Sequence, residues 1–192
     1  MRDTNGDATD ARLLARVADG DREAFERLYH VYFPRLTRFL NRSTRNLQLI
    51  EEIVNDTMLV VWKKAPSWDA SCKVSTWIFA IAWRKARKAF GSLSSLHGLG
   101  EPVDAAPDLL EAGPDSQPDR QFARLRQHQA VDAALSALPP EQRAVVQLTY
   151  FHDMGYADIA DVLGCPENTV KTRMFYARRR LATLLADRQE TQ

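Results

Sequence analysis

Five cations, Lys171, Arg173, Arg178, Arg179 and Arg180, lie in the stretch "NTVKTRMFYARRRLATLL" at 168–185, which has no acidic residue. Two aromatic rings, Phe175 and Tyr176, stand among them. Wound as a helix, the stretch puts Val170, Met174, Ala177, Leu181 and Leu184 along one stripe. Asn168, Thr169, Thr172, Phe175, Tyr176 and Arg179 fall on the opposite side, flanked by Lys171, Arg173, Arg178 and Arg180. The rings therefore point away from the face that packs. A duplex major groove suits such a surface: apolar groups touch thymine methyls, Arg and Lys reach guanine edges or phosphates, and Asn and Thr bond base edges. A solvated basic helix or a membrane-surface helix would share the cations. Neither accounts for the residues just upstream.

Those residues are Ala160, Gly164 and Val170, at i, i+4 and i+10. Two short helices crossing at a tight turn need a small residue at the crossing, a left-handed glycine at the turn and a β-branched residue packing the second helix back. "YADIADVLG" supplies the first helix, closed by Gly164, and Pro166-Glu167 suits the start of the second. Before them, "ALSALPPEQRAVVQLTYFHDM" is the end of one helix, a Pro-Pro break and a new helix with Pro140 in its first turn.

A second basic constellation lies near the middle of the chain. Arg84, Arg87 and Lys88 make a strip on a helix expected from about Ser75 to Phe90. Trp77, Phe79, Trp83 and Phe90 lie on the same helix, with Trp77 and Phe79 expected in the core as large buried rings. The preceding loop holds Asp69, Ser71, Cys72 and Lys73. Upstream, "QLIEEIVNDTMLVVWKKA" has an apolar face of Ile50, Ile53, Val54, Thr57 and Val61. Its other face mixes Glu51, Glu52, Asn55 and Asp56 with Met58, Leu59 and Trp62, so the helix is apolar on more than one side. Met58 and Trp62 suit either a core or a docking surface. Nearer the start, Asp10 is expected to cap a short helix that stops near Gly20, and Asp21 to cap the next. Pro34 should kink or interrupt that second helix.

Strand signals are nearly absent, so the expected fold class is all-α: two small helical domains joined by a flexible linker, the C-terminal one a helix-turn-helix. The boundaries expected are 1–92, a linker at 93–127 rich in Gly, Pro, Ser and acid, and 128–192. The net charge of +1 hides an uneven spread, +5 over 1–90, −3 over 91–128 and −1 over 129–192. A chain so balanced binds nucleic acid weakly by charge alone. His30, His97, His128 and His152 are isolated, and neither Cys72 nor Cys165 has a metal-ligand neighbour. No nucleophile triad or phosphate-cradling Gly loop occurs. The expectation is a protein that is not an enzyme and uses no metal or cofactor. The acidic N-terminus is no signal peptide and no apolar run reaches membrane-spanning length, which points to the cytoplasm.

"ALSALPPEQRAVVQLTYFHDMGYADIADVLGCPENTVKTRMFYARRRLATLL" resembles region 4 of bacterial sigma factors. "DREAFERLYHVYFPRLTRFLNRS", "IEEIVNDTMLVVWKKA" and "WDASCKVSTWIFAIAWRKARKAF" resemble region 2. The two together, with no module between, are similar to the extracytoplasmic-function class. The resemblance implies a specificity subunit whose partners are core RNA polymerase, through the β′ clamp helices and the β flap, and promoter DNA. It assigns Asn168, Thr169, Lys171, Thr172, Arg173, Phe175, Tyr176, Arg178 and Arg179 to the minus-35 element. Asp69, Ser71, Cys72, Lys73, Trp83, Arg84, Arg87 and Lys88 fall to the minus-10 element, where the family melts DNA. Glu51, Glu52, Asn55, Asp56, Met58, Leu59 and Trp62 fall to core polymerase. An inhibitory anti-sigma partner is implied by the family alone. Arg84 stands where the family often has Asn, Lys88 where it has Asp, and Leu49-Ile50 where it has an acid and Ala; the first two bear on minus-10 sequence preference. The rival reading is a free-standing helix-turn-helix regulator.

Overall fold

The computed structural model describes residues 4–42, 44, 46–96 and 130–189. Among them every regular element is helical. The N-terminal half holds α1 (Thr4–Ala18), α2 (Arg22–Asn41), α3 (Leu47–Lys64), a 3₁₀ turn (Ala65–Ser67) and α4 (Val74–Leu96). The C-terminal half holds α5, described over 130–136, then α6 (Pro140–Tyr150), α7 (Tyr156–Leu163) and α8 (Glu167–Gln189). Most of the expected linker lies outside the described residues, as do 128 and 129 at the start of the expected C-terminal half. Residues 93–96 instead continue α4, which runs past Phe90.

The caps explain several boundaries. The Asp21 side chain accepts the Ala24 amide at 3.1 Å to open α2, and Asn46 accepts the Leu49 amide at 3.1 Å to open α3. One expectation fails. Asp10 does not cap α1, which begins at Thr4; it is buried mid-helix and accepts a hydrogen bond from the Tyr32 hydroxyl. Burial pushes its carboxyl up from the usual carboxylate range, an effect that this hydrogen bond and Arg35 oppose. Pro34 does not interrupt α2, which continues to Asn41. Pro34 is exposed, so the carbonyl its ring leaves without an amide faces the solvent side.

Leu28, Tyr32, Leu36, Phe39 and Leu40 of α2 build the N-terminal core with Ile50, Ile53, Val54 and Val61 of α3 and Ile78, Phe79 and Ala82 of α4. In the C-terminal half, Ala144, Val145, Val146 and Leu148 of α6 pack with Ile159, Val162 and Leu163 of α7 and Val170, Met174 and Ala177 of α8. These buried residues form one continuous cluster, because α7 packs on α4 and α6 touches α2.

The helix-turn-helix takes the expected form. Gly164 ends α7 at φ +64, and the Gly164 and Cys165 amides both donate to the Ala160 carbonyl. A Cβ at Gly164 would meet nothing within 4 Å, so the position asks for glycine only through its backbone. The Gly164→Ala variant is therefore expected to lose about 1–2 kcal/mol in urea unfolding, without a packing component.

His152 lies between α6 and α7 with its ring centroid 4.6 Å from that of Phe79 and 6.0 Å from that of Phe39. Burial lowers its pKa to about 4, helped by Arg35, Arg38 and Arg42. The folded chain thus holds it neutral, while the unfolded chain protonates it near 6.5. Its contribution is complete above the unfolded value and is lost as the pH falls towards 4. Unfolding free energy should decline by at most about 1.4 kcal/mol per pH unit in that window. The corresponding slope should flatten in His152→Phe.

Candidate nucleic-acid interface

The α8 stripe is buried as its spacing requires: Val170, Met174 and Ala177 lie against α6 and α7, with Leu181 half-buried beside them. That burial fixes the rotation of the helix and turns the opposite side outwards. Phe175 is 62% exposed and Tyr176 52%, their rings meeting edge to face at 5.4 Å. Asn168, Lys171, Thr172, Arg178 and Arg179 are exposed with them, while Thr169 and Arg173 are half-buried. The face is partly ordered by its own contacts. Lys171 pairs with Glu167 at 2.9 Å, Arg173 lies 3.5 Å from the Cys165 Sγ, and Arg178 donates to the Tyr150 hydroxyl at 2.8 Å. All nine residues expected at the minus-35 element lie on α8. Tyr150, 59% exposed on α6, extends that face through Arg178; its only sequence signal was an unexplained ring at the end of a helix.

The second constellation is brought together only in part. On α4, Arg84, Arg87 and Lys88 are exposed with no acidic partner among the described residues, whereas neighbouring Lys85 pairs with Asp56 at 2.8 Å. Trp83 does not join them. It is 5% exposed and packs near Phe39, because α4 is covered by helices on most sides and the side carrying Phe79 and Trp83 faces inwards. Phe79 is wholly buried, as expected.

The loop before α4 is shaped by Asp69, whose carboxylate accepts the Ser71 amide at 3.0 Å and lets Ala70 hold a left-handed φ of 58. Hydrogen bonds from Ser71 hold that carboxyl below its ordinary range. Asp69 and Ser71 are exposed, and Cys72 and Lys73 half-buried. Burial pushes the Cys72 thiol up, helped by Asp161 and Asp69, so it stays protonated. Lys73 reaches Asp158 of α7 at 3.2 Å.

On α3, Glu51, Glu52, Asn55, Asp56 and Leu59 face outwards, Leu59 being 48% exposed. Met58 does not belong to that surface: at 1% exposure it is a core residue. The helix turns 100° per residue, so a run of Thr57, Met58 and Leu59 straddles the edge of the buried face. Trp62 is half-buried, its ring 5.1 Å from that of Phe25. Phe25, Tyr29 and Phe33 line the adjacent side of α2, and the Tyr29 hydroxyl donates to Asn55 at 2.8 Å. This aromatic row widens the α3 surface.

Among the described residues no group of three or more His, Cys, Asp or Glu side chains is placed to hold a metal, and no helix is long and apolar enough to cross a membrane. The arrangement offers binding surfaces, one aromatic and basic, one basic, one acidic and apolar.

Comparison with known proteins identifies the family. The family described as Sigma-70 region 2 matches residues 28–95, and that described as Sigma-70, region 4 matches 128–181. The sigma factor RpoE of Cereibacter sphaeroides, of the extracytoplasmic-function class, is 33% identical over 180 residues, 91% of this chain and 94% of that protein. The factor SigM of Mycobacterium tuberculosis, of the same class, is 32% identical over 92% of this chain and 85% of its own. Among solved structures, the sigma factor RpoE of Bartonella quintana, in complex with the anti-sigma factor NepR, shares the fold with a TM-score of 0.66. It is 24% identical, and the match covers 84% of this chain and 96% of that one. With both halves matched in order and a relative of this identity along nearly its whole length, the chain belongs to the extracytoplasmic-function class of RNA polymerase sigma factors.

Proposed function

We propose that the chain joins core RNA polymerase and directs initiation at particular promoters, with residues 1–92 and 128–192 as its two working parts. In this reading α8 lies in the minus-35 major groove and presents Asn168, Lys171, Thr172, Phe175, Tyr176 and Arg179 to it. The 69–73 loop with Arg84, Arg87 and Lys88 meets the minus-10 element, the cations holding the backbone of the opened strand. Trp83 and Met58 take no part as contacts, since both are core. The outer face of α3, with the aromatic row of α2, docks on polymerase. The observation that carries the reading is the exposed pair Phe175 and Tyr176, set among cations on the helix after the Gly164 turn. Large rings left in water opposite a packed stripe call for an apolar partner, and thymine methyls supply one.

The net charge of +1 fits a reader that needs help. Two weak contacts on one chain gain affinity when polymerase holds both in place. A free-standing regulator leaves the α2–α3 surface and the region 2 match without a role. A relative of the same fold is held by an anti-sigma factor, which supports an inhibitory partner of that kind here. The chain performs no bond-making of its own in this scheme.

Promoter-specific transcripts should appear when the chain is added to core polymerase and be absent without it. Run-off assays on templates with and without the minus-35 element would test the assignment of α8. Arg173→Ala and Lys171→Ala should lower minus-35-dependent initiation by about 1–3 kcal/mol in apparent affinity while core polymerase still binds. Phe175→Ala should do likewise and, being exposed, change unfolding free energy by no more than about 0.5 kcal/mol. Loss of core binding in step with initiation would instead make α8 a structural element.

A further inference from the structure

Tyr150, at the end of α6, carries a large ring that the core does not use: it is 59% exposed. Its hydroxyl accepts a hydrogen bond from Arg178 Nη2 of α8 at 2.8 Å, and the guanidinium carbon lies 5.9 Å from the ring centroid. Other hydrogen bonds between distant segments tie the two halves together: Asp158 accepts from Thr76, and Arg143 donates to the Arg42 carbonyl. The bond at Tyr150 joins helices that burial already fixes, since α6 and α8 pack through their buried stripes. What it changes is the position of the guanidinium. Among the described residues no carboxylate pairs with Arg178.

Arg178 stands where a duplex would meet it with phosphate. A helix in a major groove reads base edges with its N-terminal residues. Arg178 is ten positions past Asn168, about 15 Å along the helix axis, and so at the edge of a groove about 12 Å wide. Beside it a hollow of about 430 Å³ opens between the start of α7 and α8, lined by Tyr156, Lys171, Met174, Phe175, Arg178 and Arg179. Met174 and Phe175 give this hollow an apolar lining, and three cations charge it, of which Lys171 is shared with Glu167. A sugar ring with its phosphate is the matching ligand: carbon for the apolar lining, an anion for the cations. The guanidinium uses one N–H on Tyr150, and its remaining N–H groups suit a phosphate in a two-bond fork.

We propose that Tyr150 is a positioning residue for promoter binding: its hydroxyl holds Arg178 at the backbone phosphate that borders the minus-35 groove. Tyr150 itself reads no base. A guanidinium already held in place loses less rotamer freedom when the duplex arrives. The contact is blind to sequence, so it adds affinity equally to strong and weak minus-35 elements. It rests on the placement of α8 in the groove, and the tests separate the two.

The full-length chain, joined to core polymerase, is titrated against a fluorescent promoter duplex and followed by anisotropy. Tyr150→Phe keeps the ring and loses the hydroxyl; its affinity should fall roughly threefold to tenfold. Arg178→Ala should lose at least as much, and its slope of log affinity against log salt should shrink by about one. In an Arg178→Ala background Tyr150→Phe should cost nothing further, a result that a purely structural role would not give. Both losses should be equal in proportion on a duplex with a mutated minus-35 element. Without DNA, both variants should bind core polymerase as the parent does. Parental affinity in Tyr150→Phe would overturn the proposal, as would the same loss with and without Arg178. An unchanged salt slope in Arg178→Ala, or a loss confined to one minus-35 sequence, would also overturn it. Weaker core binding without DNA would do so too, by giving the hollow to an acidic segment of polymerase. A parent indifferent to the minus-35 element would sink the placement of α8 and the proposal with it. A parent that prefers the element while Tyr150→Phe matches it sinks the proposal alone.

Discussion

The rotation of α8 about its own axis is the constraint on which the rest of the structure depends. Val170, Met174 and Ala177 are buried against α6 and α7, and a helix with three such anchors on one stripe cannot turn. Everything opposite that stripe is then committed to the outside. Gly164 sets the direction in which α8 leaves the turn, and among the described residues of the C-terminal half only Asp153 shares its left-handed backbone. Contacts of Arg173 with Cys165 and of Arg178 with Tyr150 then restrain the long cationic side chains that the face carries. Restraint of this kind lowers the rotamer entropy lost on docking.

The two basic helices allocate the same residue types in opposite ways. In α4 the rings of Phe79 and Trp83 are inside and the cations outside; in α8 the rings of Phe175 and Tyr176 are outside among the cations. The difference follows from the number of neighbours. Helix α4 is packed on by α1, α2, α3 and α7, which leaves a single narrow strip for Arg84, Arg87 and Lys88. Among the described residues α8 packs mainly on α6 and α7, so most of its circumference remains available. A helix in the middle of the bundle supports the fold and offers a cationic edge. A helix at its margin is free to carry rings that fit a groove.

Charge distribution connects these surfaces to membership in the sigma family. Ten of the 26 cations lie on α4 and α8, while acids spread along the whole chain, including α3 and α7, hold the total near zero. A protein arranged this way gains little from long-range attraction to DNA and relies on correct placement of both surfaces. The same acids serve within the fold: Asp56 neutralises Lys85, and Asp158 neutralises Lys73.

Much of the fold was legible from local spacing. The helical periods, the cap at Asp21, the closing Gly164 and the outward rings of α8 each depend on residues within about ten positions of one another, and a helix of known pitch converts that spacing directly into a face. Spacing failed where a face met more than one neighbour. Met58 and Trp83 sit on the edges of apolar stripes, and only the arrival of other helices decided that both are core. Asp10 looked like a cap because nothing near it in the chain announces the Tyr32 hydroxyl that holds it. The closure of the two halves was not visible in the sequence at all. Asp158 and Thr76 are 82 positions apart and Arg143 and Arg42 are 101 apart, so no periodicity links them. Local spacing determined which helices form and what each carries; which faces stay open was settled by contacts between distant segments, because burial depends on the whole set of neighbours a side chain meets.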